Sequence, residues 1–496
     1  MTKTRGWVVQ RLRTAWCKSS FGRRVATLAG GTAAAQAVAV MLAPVLARLY
    51  SPADFGVLGV ISSIVAVSVV AASLSYEVAI PLPQSKNDAL SLVYLCCLLL
   101  TASALIALAV VALLGKTLAT ALNIAAWGDL LWFVPVGILA AGAYRTLNYL
   151  ALRSKGFGTI AATKLLQTTG GGAVQLAGGV AGVGAPGLVF GHILAQSLGV
   201  GLLWSKNRFS LRPVLVGAAW KDLVAAALAH RDFPRYALWS SLMNSASLQM
   251  PILLLASFFG SATAGQYQLG LQALQLPLAL LGASVAQVFY ADAANHLRDG
   301  ILHQQTRGTL VLLARWSLAI VPSVAIAAPH LVSLFFGHRW REAGEYLQYL
   351  TPWLLLVFVA SPLSSVPRVL GRQRGEMLFQ LLLLAARAAA LLIGGHWLSA
   401  RHTIILFAAT SAIAWLAYTL WLCNLVRIPW RMLSLDLRPS LSLAAASSAL
   451  LLLVQIAFSQ SPLEPIVVSG LGACAIGLGI YFLVFGSAIR SRSQPA

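Results

Sequence analysis

Charged residues are scarce in this sequence. Asp, Glu, Lys and Arg make up 10% of its 496 residues, against roughly 25% in an ordinary soluble protein. Hydrophobic residues make up 59%, and the mean hydropathy is +0.80. A chain with so little polar surface must turn most of its surface toward lipid. The composition therefore excludes a soluble globular protein and predicts a polytopic helical membrane protein.

Acidic residues are rarer than basic ones, with 13 Asp and Glu against 35 Lys and Arg and a net charge of +22. The cations lie mostly in the short gaps between apolar runs and not on one face of a domain. This distribution is typical of membrane topology and of contact with anionic headgroups. Because no basic face interleaved with aromatic residues is present, nucleic acid is not expected as a partner.

The sequence contains five cysteines, an odd number, and no CxxC pair or His-rich metal spacing. It therefore predicts neither a disulfide framework nor a metal site. It also lacks a Ser-His-Asp arrangement, paired carboxylates in an outer loop and a phosphate-cradling glycine loop. We therefore expect no catalytic residues, no cofactor and no enzymatic activity.

Residues 1–24 alternate basic and apolar side chains, which predicts an amphipathic arm on an anionic membrane surface. The apolar run that follows is too long for a cleavable signal peptide. Fourteen runs reach the length of about 20 residues that crosses a bilayer. The predicted spans are residues 25–47, 55–83, 88–115, 130–152, 157–180, 184–204, 236–259, 264–290, 309–336, 346–366, 376–398, 402–424, 439–459 and 464–486.

The Lys and Arg residues favour one topology. If the N-terminus is cytoplasmic, most cations outside the spans fall on the cytoplasmic side, as the positive-inside rule requires. We therefore expect an even number of spans and both termini in the cytoplasm.

The first twelve spans divide into two sets of six. SPADFGVLG (Ser51–Gly59) follows the first span and SATAGQYQLG (Ser261–Gly270) follows the seventh, and each puts a polar turn before a new helix. A repeat of this kind, with a binding site between the halves, is a common transporter plan. The predicted parts are an N-terminal lobe (25–204), a cytoplasmic connector (205–235), a C-terminal lobe (236–425), and a final helix pair with a cytoplasmic tail (426–496).

Polar side chains recur at helical spacing inside several spans. Such residues usually face a bundle interior or a water-filled cavity, so we expect them to line a hydrated route. The alternative is interhelical hydrogen bonding in a tight bundle. The predicted lining residues are Ser240, Asn244, Ser247, Gln268, Gln272, Gln275 and Gln380.

Four cations, Arg145, Lys164, Arg315 and Arg387, lie inside predicted spans. Snorkelling to a nearby interface is one explanation, and it suits Lys164 and Arg315 best. Arg387 lies eleven residues into its span, where snorkelling is hardest. Because guanidinium groups match phosphate oxygens, the four are candidate contacts for an anionic substrate.

Glu77 is the carboxylate that lies well inside a predicted span. Two roles stay open for it. It pairs with one of the intramembrane cations, or it binds a proton or Na⁺ that couples transport.

Several segments carry a family resemblance. They are LARLYSPADFGVLGV (Leu46–Val60), SYEVAIPLP (Ser75–Pro83), RDFPRYALWSSLMNSASLQMPILL (Arg231–Leu254), AGQYQLG (Ala264–Gly270) and LLGASVAQVFYADAA (Leu280–Ala294). With these segments, most of residues 25–425 resembles the bacterial polysaccharide flippases of the MOP exporter superfamily, which translocate O-antigen or capsule repeat units.

The resemblance implies two six-helix lobes, alternating access and an undecaprenyl-pyrophosphate-linked oligosaccharide as cargo. It places the protein in the bacterial cytoplasmic membrane, among membrane lipids. A polysaccharide polymerase and a chain-length regulator are its candidate partners, and a monomer is expected.

Two rival functions stay open. The first is a multidrug or cation antiporter of the same superfamily, which would prefer acidic residues in its cavity. The second is a membrane glycan polymerase or ligase, which needs a large outer loop with catalytic Arg, His or Glu. The longest predicted outer loop, residues 116–129, holds Lys116 and Asp129 as its charges.

Overall fold

The computed structural model describes residues 20–216, 220–272, 289, 300–458, 467–472 and 474. These residues are overwhelmingly helical, and the described part of the chain contains no β-strand, which confirms the all-α fold class. Eleven described segments are helices long and apolar enough to cross a bilayer. Residues 1–19 of the predicted arm lie outside the described ranges, and the first described helix begins at Ser20.

Three predicted spans are not among these eleven segments. Residues 264–290 and 464–486 lie largely outside the described ranges. Residues 157–180 do form a helix, but Lys164, Gln167, Gln175 and six glycines make it less apolar than the others. The total of fourteen spans stays a prediction.

The chain divides into two compact units between Gln249 and Met250. Unit 1 contains, in chain order, α1 (Ser20–Leu49), α2 (Pro52–Ala72), α3 (Lys86–Ala121), α4 (Phe133–Arg153), α5 (Phe157–Val180), α6 (Ala185–Val216), α7 (Trp220–Ala229) and the first part of α8 (Leu238–Phe259). The predicted connector, residues 205–235, includes the end of α6 and all of α7. The boundaries predicted for the lobes stay predictions.

Polar residues at the helix starts set several of these boundaries. Ser51 caps α2: its hydroxyl accepts a hydrogen bond from the Asp54 backbone, and the Asp54 carboxylate accepts one from the Ser51 backbone N–H. Pro52 occupies the first turn, where its missing N–H costs nothing. At the start of α3, the Ser85 hydroxyl accepts from the backbone N–H groups of Asn87 and Asp88. These contacts satisfy donors that a helix start leaves unpaired.

Helix α5 packs on α1 and α6 through small residues. A Cβ atom at Gly171 would lie 2.6 Å from the Ala195 Cβ, and one at Gly178 would lie 2.9 Å from the Gly187 Cα. Only glycine permits such close helix contact, which is how helices associate where no hydrophobic effect drives them together. The glycines that lower the hydropathy of α5 therefore have a packing role.

Unit 2 contains the remainder of α8, then α9 (261–272), α10 (Leu302–Phe336), α11 (Arg341–Ala360), α12 (Gln373–Trp397), α13 (Ala400–Leu425) and α14 (Trp430–Phe458). Helix α10 packs against α11 and α14, and α13 packs against α11 and α12. Leu313, Phe358, Leu363, Tyr418 and Leu422 belong to the buried apolar cluster that these helices share. This core places α14 in contact with the helices that precede it.

Candidate functional site

Glu77 lies at a break in the second predicted span. Helix α2 ends at Ala72, and Leu74 and Ser75 have φ values of +50° and +62°. A left-handed conformation at two non-glycine residues ends an α-helix, and the chain continues as a 3₁₀ turn, Tyr76–Ala79. In the span predicted over residues 55–83, the α-helix therefore ends at Ala72.

At this break Glu77 forms an ion pair with Arg145 of α4. The Nε of Arg145 lies 2.8 Å from Oε1 of Glu77, and the Ser73 hydroxyl donates to Oε2 at 2.6 Å. The Glu77 side chain is 0% exposed, whereas 30% of the Arg145 side chain is exposed. The Glu77 carboxylate is therefore buried, and Arg145 is the member of the pair that a ligand can reach.

Arg153 holds the segment that follows the break. Its guanidinium donates to the backbone carbonyls of Ile80, Pro81, Pro83, Gln84 and Ser85. Sequence reasoning counted Arg153 as a cytoplasmic loop charge and missed this role. The available signal was the pair Pro81 and Pro83, because two prolines close together leave a segment short of N–H donors.

Lys164 lies next to a contact between α4 and α5. The hydroxyls of Tyr144 on α4 and Thr163 on α5 are 3.2 Å apart, and each of these residues directly precedes one of the two cations. The Nζ of Lys164 donates to the hydroxyl of Thr32 on α1 at 3.3 Å. We call Arg145, Glu77, Lys164, Tyr144 and Thr163 the unit 1 polar cluster.

The cluster extends one turn along α5. The Gln167 amide donates to the side-chain oxygen of Gln196 on α6 at 3.3 Å. Gln167 is also close to Gly199, where a Cβ atom would lie 2.4 Å from its Nε2. Neutral hydrogen-bonding groups therefore continue from the two cations toward α6.

Arg387 lies in unit 2, between aromatic rings. Its guanidinium carbon is 4.8 Å from the centre of the Trp353 ring and 5.5 Å from that of Phe407. Its Nε donates to the Ser411 hydroxyl at 3.0 Å, and the residue is 3% exposed. Such contacts stabilise a buried guanidinium. These partners come from α11 and α13, so no spacing in the sequence reveals them.

Arg315 has different surroundings from Arg387. Its Nη2 and Nε donate to the backbone carbonyl of Asp436 on α14, at 2.9 and 3.3 Å. The Asp436 carboxylate pairs with Arg307, with Nη2 to Oδ2 at 2.6 Å. The two arginines of α10 therefore hold the start of α14.

The predicted lining residues fall into three groups. Ser240, Asn244 and Gln272 are exposed, Gln268 and Gln380 are half-buried, and Ser247 is buried. Gln275 lies outside the described residues. In unit 1, α8 contacts α2 through other residues: the Ser63 hydroxyl donates to the Gln249 side chain at 2.9 Å, and Ser245 donates to the carbonyl of Ala66.

The structure thus brings Arg145 and Glu77 into direct contact and places Lys164 on the neighbouring helix α5. It gives Arg315 and Arg387 separate partners within unit 2. Among the described residues, no group of three His, Cys, Asp or Glu side chains is placed to hold a metal ion. The unit 1 polar cluster is suited to bind an anion, because its accessible charges are cationic.

Comparison with known proteins agrees with this architecture. Residues 45–345 match the sequence model of a family described as polysaccharide biosynthesis protein. No curated protein matches the chain.

Two similar solved structures are transporters. The lipid II flippase MurJ, in an inward closed conformation, aligns with a TM-score of 0.67 at 13% identity over 93% of this chain and 99% of its own. An inward-facing multidrug resistance MATE family transporter of the MOP superfamily aligns with a TM-score of 0.50 at 13% identity, over 81% of this chain and 94% of its own. At this identity the two likenesses show a shared fold.

Proposed function

We propose that this protein is a flippase for lipid-linked oligosaccharides, because the chain belongs to the family of polysaccharide biosynthesis proteins. Its cargo is an undecaprenyl-pyrophosphate-linked repeat unit, which it moves across the bacterial cytoplasmic membrane for surface polysaccharide synthesis. The resemblance to MOP-type polysaccharide flippases agrees with the family match and with the shared fold.

The asymmetry of the Arg145–Glu77 pair carries the proposal. An exporter of cations needs an accessible carboxylate, yet the Glu77 side chain is fully buried while Arg145 keeps 30% of its side chain exposed. A pyrophosphate carries negative charge on oxygens that a guanidinium binds by paired hydrogen bonds. The exposed charge of the pair therefore favours an anionic headgroup over a cationic drug.

Each predicted site residue has a proposed role. Arg145 and Lys164 are proposed to bind the pyrophosphate in unit 1. Arg387, in unit 2, is proposed to bind an anionic group of the cargo once its aromatic contacts open. Arg315 suits this role least, since the Asp436 carbonyl already accepts its hydrogen bonds. The polar residues of α8, α9 and α12 line the route of the glycan.

Glu77 is proposed to couple the cycle to an ion. A proton on its carboxylate would remove the charge that holds Arg145, and Arg145 would then be released toward the pyrophosphate.

Deletion of the gene tests the function. We expect the deletion strain to lose surface polysaccharide and to accumulate lipid-linked repeat units in the inner leaflet, measured by glycan staining and by mass spectrometry of extracted lipids. Complementation with the intact gene should reverse both changes.

Two outcomes would contradict the proposal. Hypersensitivity to cationic drugs with normal polysaccharide indicates the multidrug antiporter. Accumulation of single repeat units already on the outer leaflet indicates the polymerase or ligase.

A further inference from the structure

Two arginine-rich turns lie at one end of the helix pair α12–α13. The two helices pack against each other and are joined by Leu398 and Ser399 alone, so they run antiparallel. The start of α12 therefore lies beside the end of α13. Gly375 and Trp421 touch directly there, because a Cβ atom at Gly375 would lie 2.6 Å from the Trp421 Cζ2.

Four arginines occupy these turns. Arg372 and Arg374 lie at the start of α12, Arg427 lies just beyond the end of α13, and Arg431 lies in the first turn of α14. All four are exposed, and none takes part in an ion pair between described residues. Residues 372–376 and 427–431 contain these four arginines and one acidic residue, Glu376, so the two stretches carry a strong excess of positive charge.

The two turns share an apolar base. Val366, Val426 and Ile428 are buried in one cluster, and Leu370 and Trp421 pack against it. The backbone beneath the arginines is therefore fixed. Because this backbone is packed, the four guanidinium groups can bind one ligand together without the entropic cost of ordering a flexible loop.

The surface next to the arginines is apolar. Met377, Leu378, Leu381 and Leu382, in the following turns of α12, are 59%, 55%, 51% and 59% exposed. Exposed leucines on a membrane-spanning helix face lipid tails, and tryptophan is enriched at the level of the headgroups. The four arginines thus lie where the phosphates of a bilayer begin.

We propose that Arg372, Arg374, Arg427 and Arg431 form a binding site for the headgroup of an anionic phospholipid. The arginines bind its phosphate by charge-assisted hydrogen bonds, and one acyl chain lies along Met377–Leu382. A zwitterionic headgroup fits less well, because its own cation opposes the arginines. The site is separate from the unit 1 polar cluster, so the inference goes beyond the proposed transport function.

Native mass spectrometry of the full chain in detergent tests this site. The purified protein is mixed with phosphatidylglycerol or with phosphatidylcholine of matched chains, and bound lipid is counted. We expect the wild type to bind phosphatidylglycerol more tightly. A variant with Arg372, Arg374, Arg427 and Arg431 each replaced by Gln should bind it about tenfold more weakly or worse, since each arginine near a headgroup contributes to affinity.

The control variant removes four exposed cations elsewhere: Lys116, Arg231, Arg235 and Arg341, each replaced by Gln. It should retain wild-type phosphatidylglycerol binding. Thermal unfolding of both variants checks that they are folded.

Three results would overturn the inference. Unchanged phosphatidylglycerol binding in the first variant removes the site. An equal loss in both variants means that overall charge and not this cluster attracts the lipid. Displacement of phosphatidylglycerol by a trace of undecaprenyl pyrophosphate means that the cluster is instead a docking site for the transported lipid.

Discussion

Arg387 is the most deeply buried of the intramembrane cations in the part of the chain that the structure describes. A guanidinium stacked on aromatic rings in a site without water gains about 2 kcal/mol per good cation–π contact. Removal of the charge need not unfold the protein, because the cost of burying a charge is removed together with these contacts. This allows the role of its charge in transport to be separated from its role in packing.

We therefore expect Arg387→Met to preserve the protein level and the melting temperature but to abolish polysaccharide display. The measurement is complementation of the deletion strain, with quantitative immunoblotting of membranes. Arg401→Met is the matched control, because Arg401 also stacks on a ring, that of Tyr349 at 5.3 Å, but is exposed. Full display in Arg387→Met would remove this residue from the mechanism.

The Arg145–Glu77 pair allows a second test at the residue scale. Loss of one partner of a buried pair leaves an uncompensated charge, whereas loss of both can be nearly neutral. We expect Glu77→Gln and Arg145→Gln each to lower the melting temperature, and the double variant to regain most of the loss. The thermal unfolding data should give an interaction energy of about 1–3 kcal/mol.

Display by the double variant then distinguishes the two roles of Glu77. A stable double variant without display supports a part for the pair in transport. Normal display in the double variant would mean that the pair is structural and would end the proposal that Glu77 couples an ion.

At the scale of elements, Asp54 connects two helix starts in unit 1. It completes the capping box of α2, and its Oδ1 accepts a hydrogen bond from the backbone N–H of Ala185, the first residue of α6, at 3.0 Å. A cap of this kind contributes about 1 kcal/mol, and the second contact adds to it.

Asp54→Ala should therefore destabilise the protein by about 1–2 kcal/mol. The measurement is thermal unfolding in detergent, together with hydrogen exchange at the starts of α2 and α6. Asp54→Asn is the intermediate case, because its single amide oxygen can accept from only one of the two backbone N–H groups, those of Ser51 and Ala185, that the Asp54 carboxylate now binds. It should lose less stability than Asp54→Ala. If Asp54→Ala unfolds like the wild type, the two caps do not contribute to stability.

Much of the helix pattern could be predicted from the sequence, because a bilayer leaves a long apolar run few alternatives to helix. The length of an apolar run does not show where the helix within it breaks, however. Leu74 and Ser75 adopt left-handed backbone conformations although neither is a glycine. A glycine would have indicated the helix end, and without one the change to a 3₁₀ turn at Tyr76 was missed. The segment over residues 157–180 was predicted, and the structure forms a helix there whose glycines contact α6.

The candidate site was predictable only in part. Cations inside apolar runs stand out in any sequence, so Arg145, Lys164 and Arg387 were found. Glu77 was one of the expected partners, and it pairs with Arg145. The partners of Lys164 and Arg387 were not found, because Thr32, Trp353 and Ser411 lie on helices distant in sequence and each is an ordinary residue within its own helix. Partner identity depends on tertiary packing, which no local spacing records.

At the scale of the whole molecule, the topology depends on whether α5 crosses the membrane. The turn at Lys155 precedes α5 and the turn at Gly182 follows it. If α5 spans the bilayer, the two turns lie on opposite sides, and the parity of every later segment agrees with the distribution of Lys and Arg. If α5 lies on one side, all later loops exchange sides and the agreement is lost.

Reporter fusions decide between these topologies. Alkaline phosphatase is active only where its disulfides form, outside the cytoplasm. Fused at Gly182 it should be active, and fused at Lys155, at Arg231 or at Arg427 it should be inactive. A fusion at Asn123, in the predicted outer loop, is the positive control. Activity at Arg231 equal to that at Asn123 would mean that an even number of helices separates them, and α5 would then not be a span.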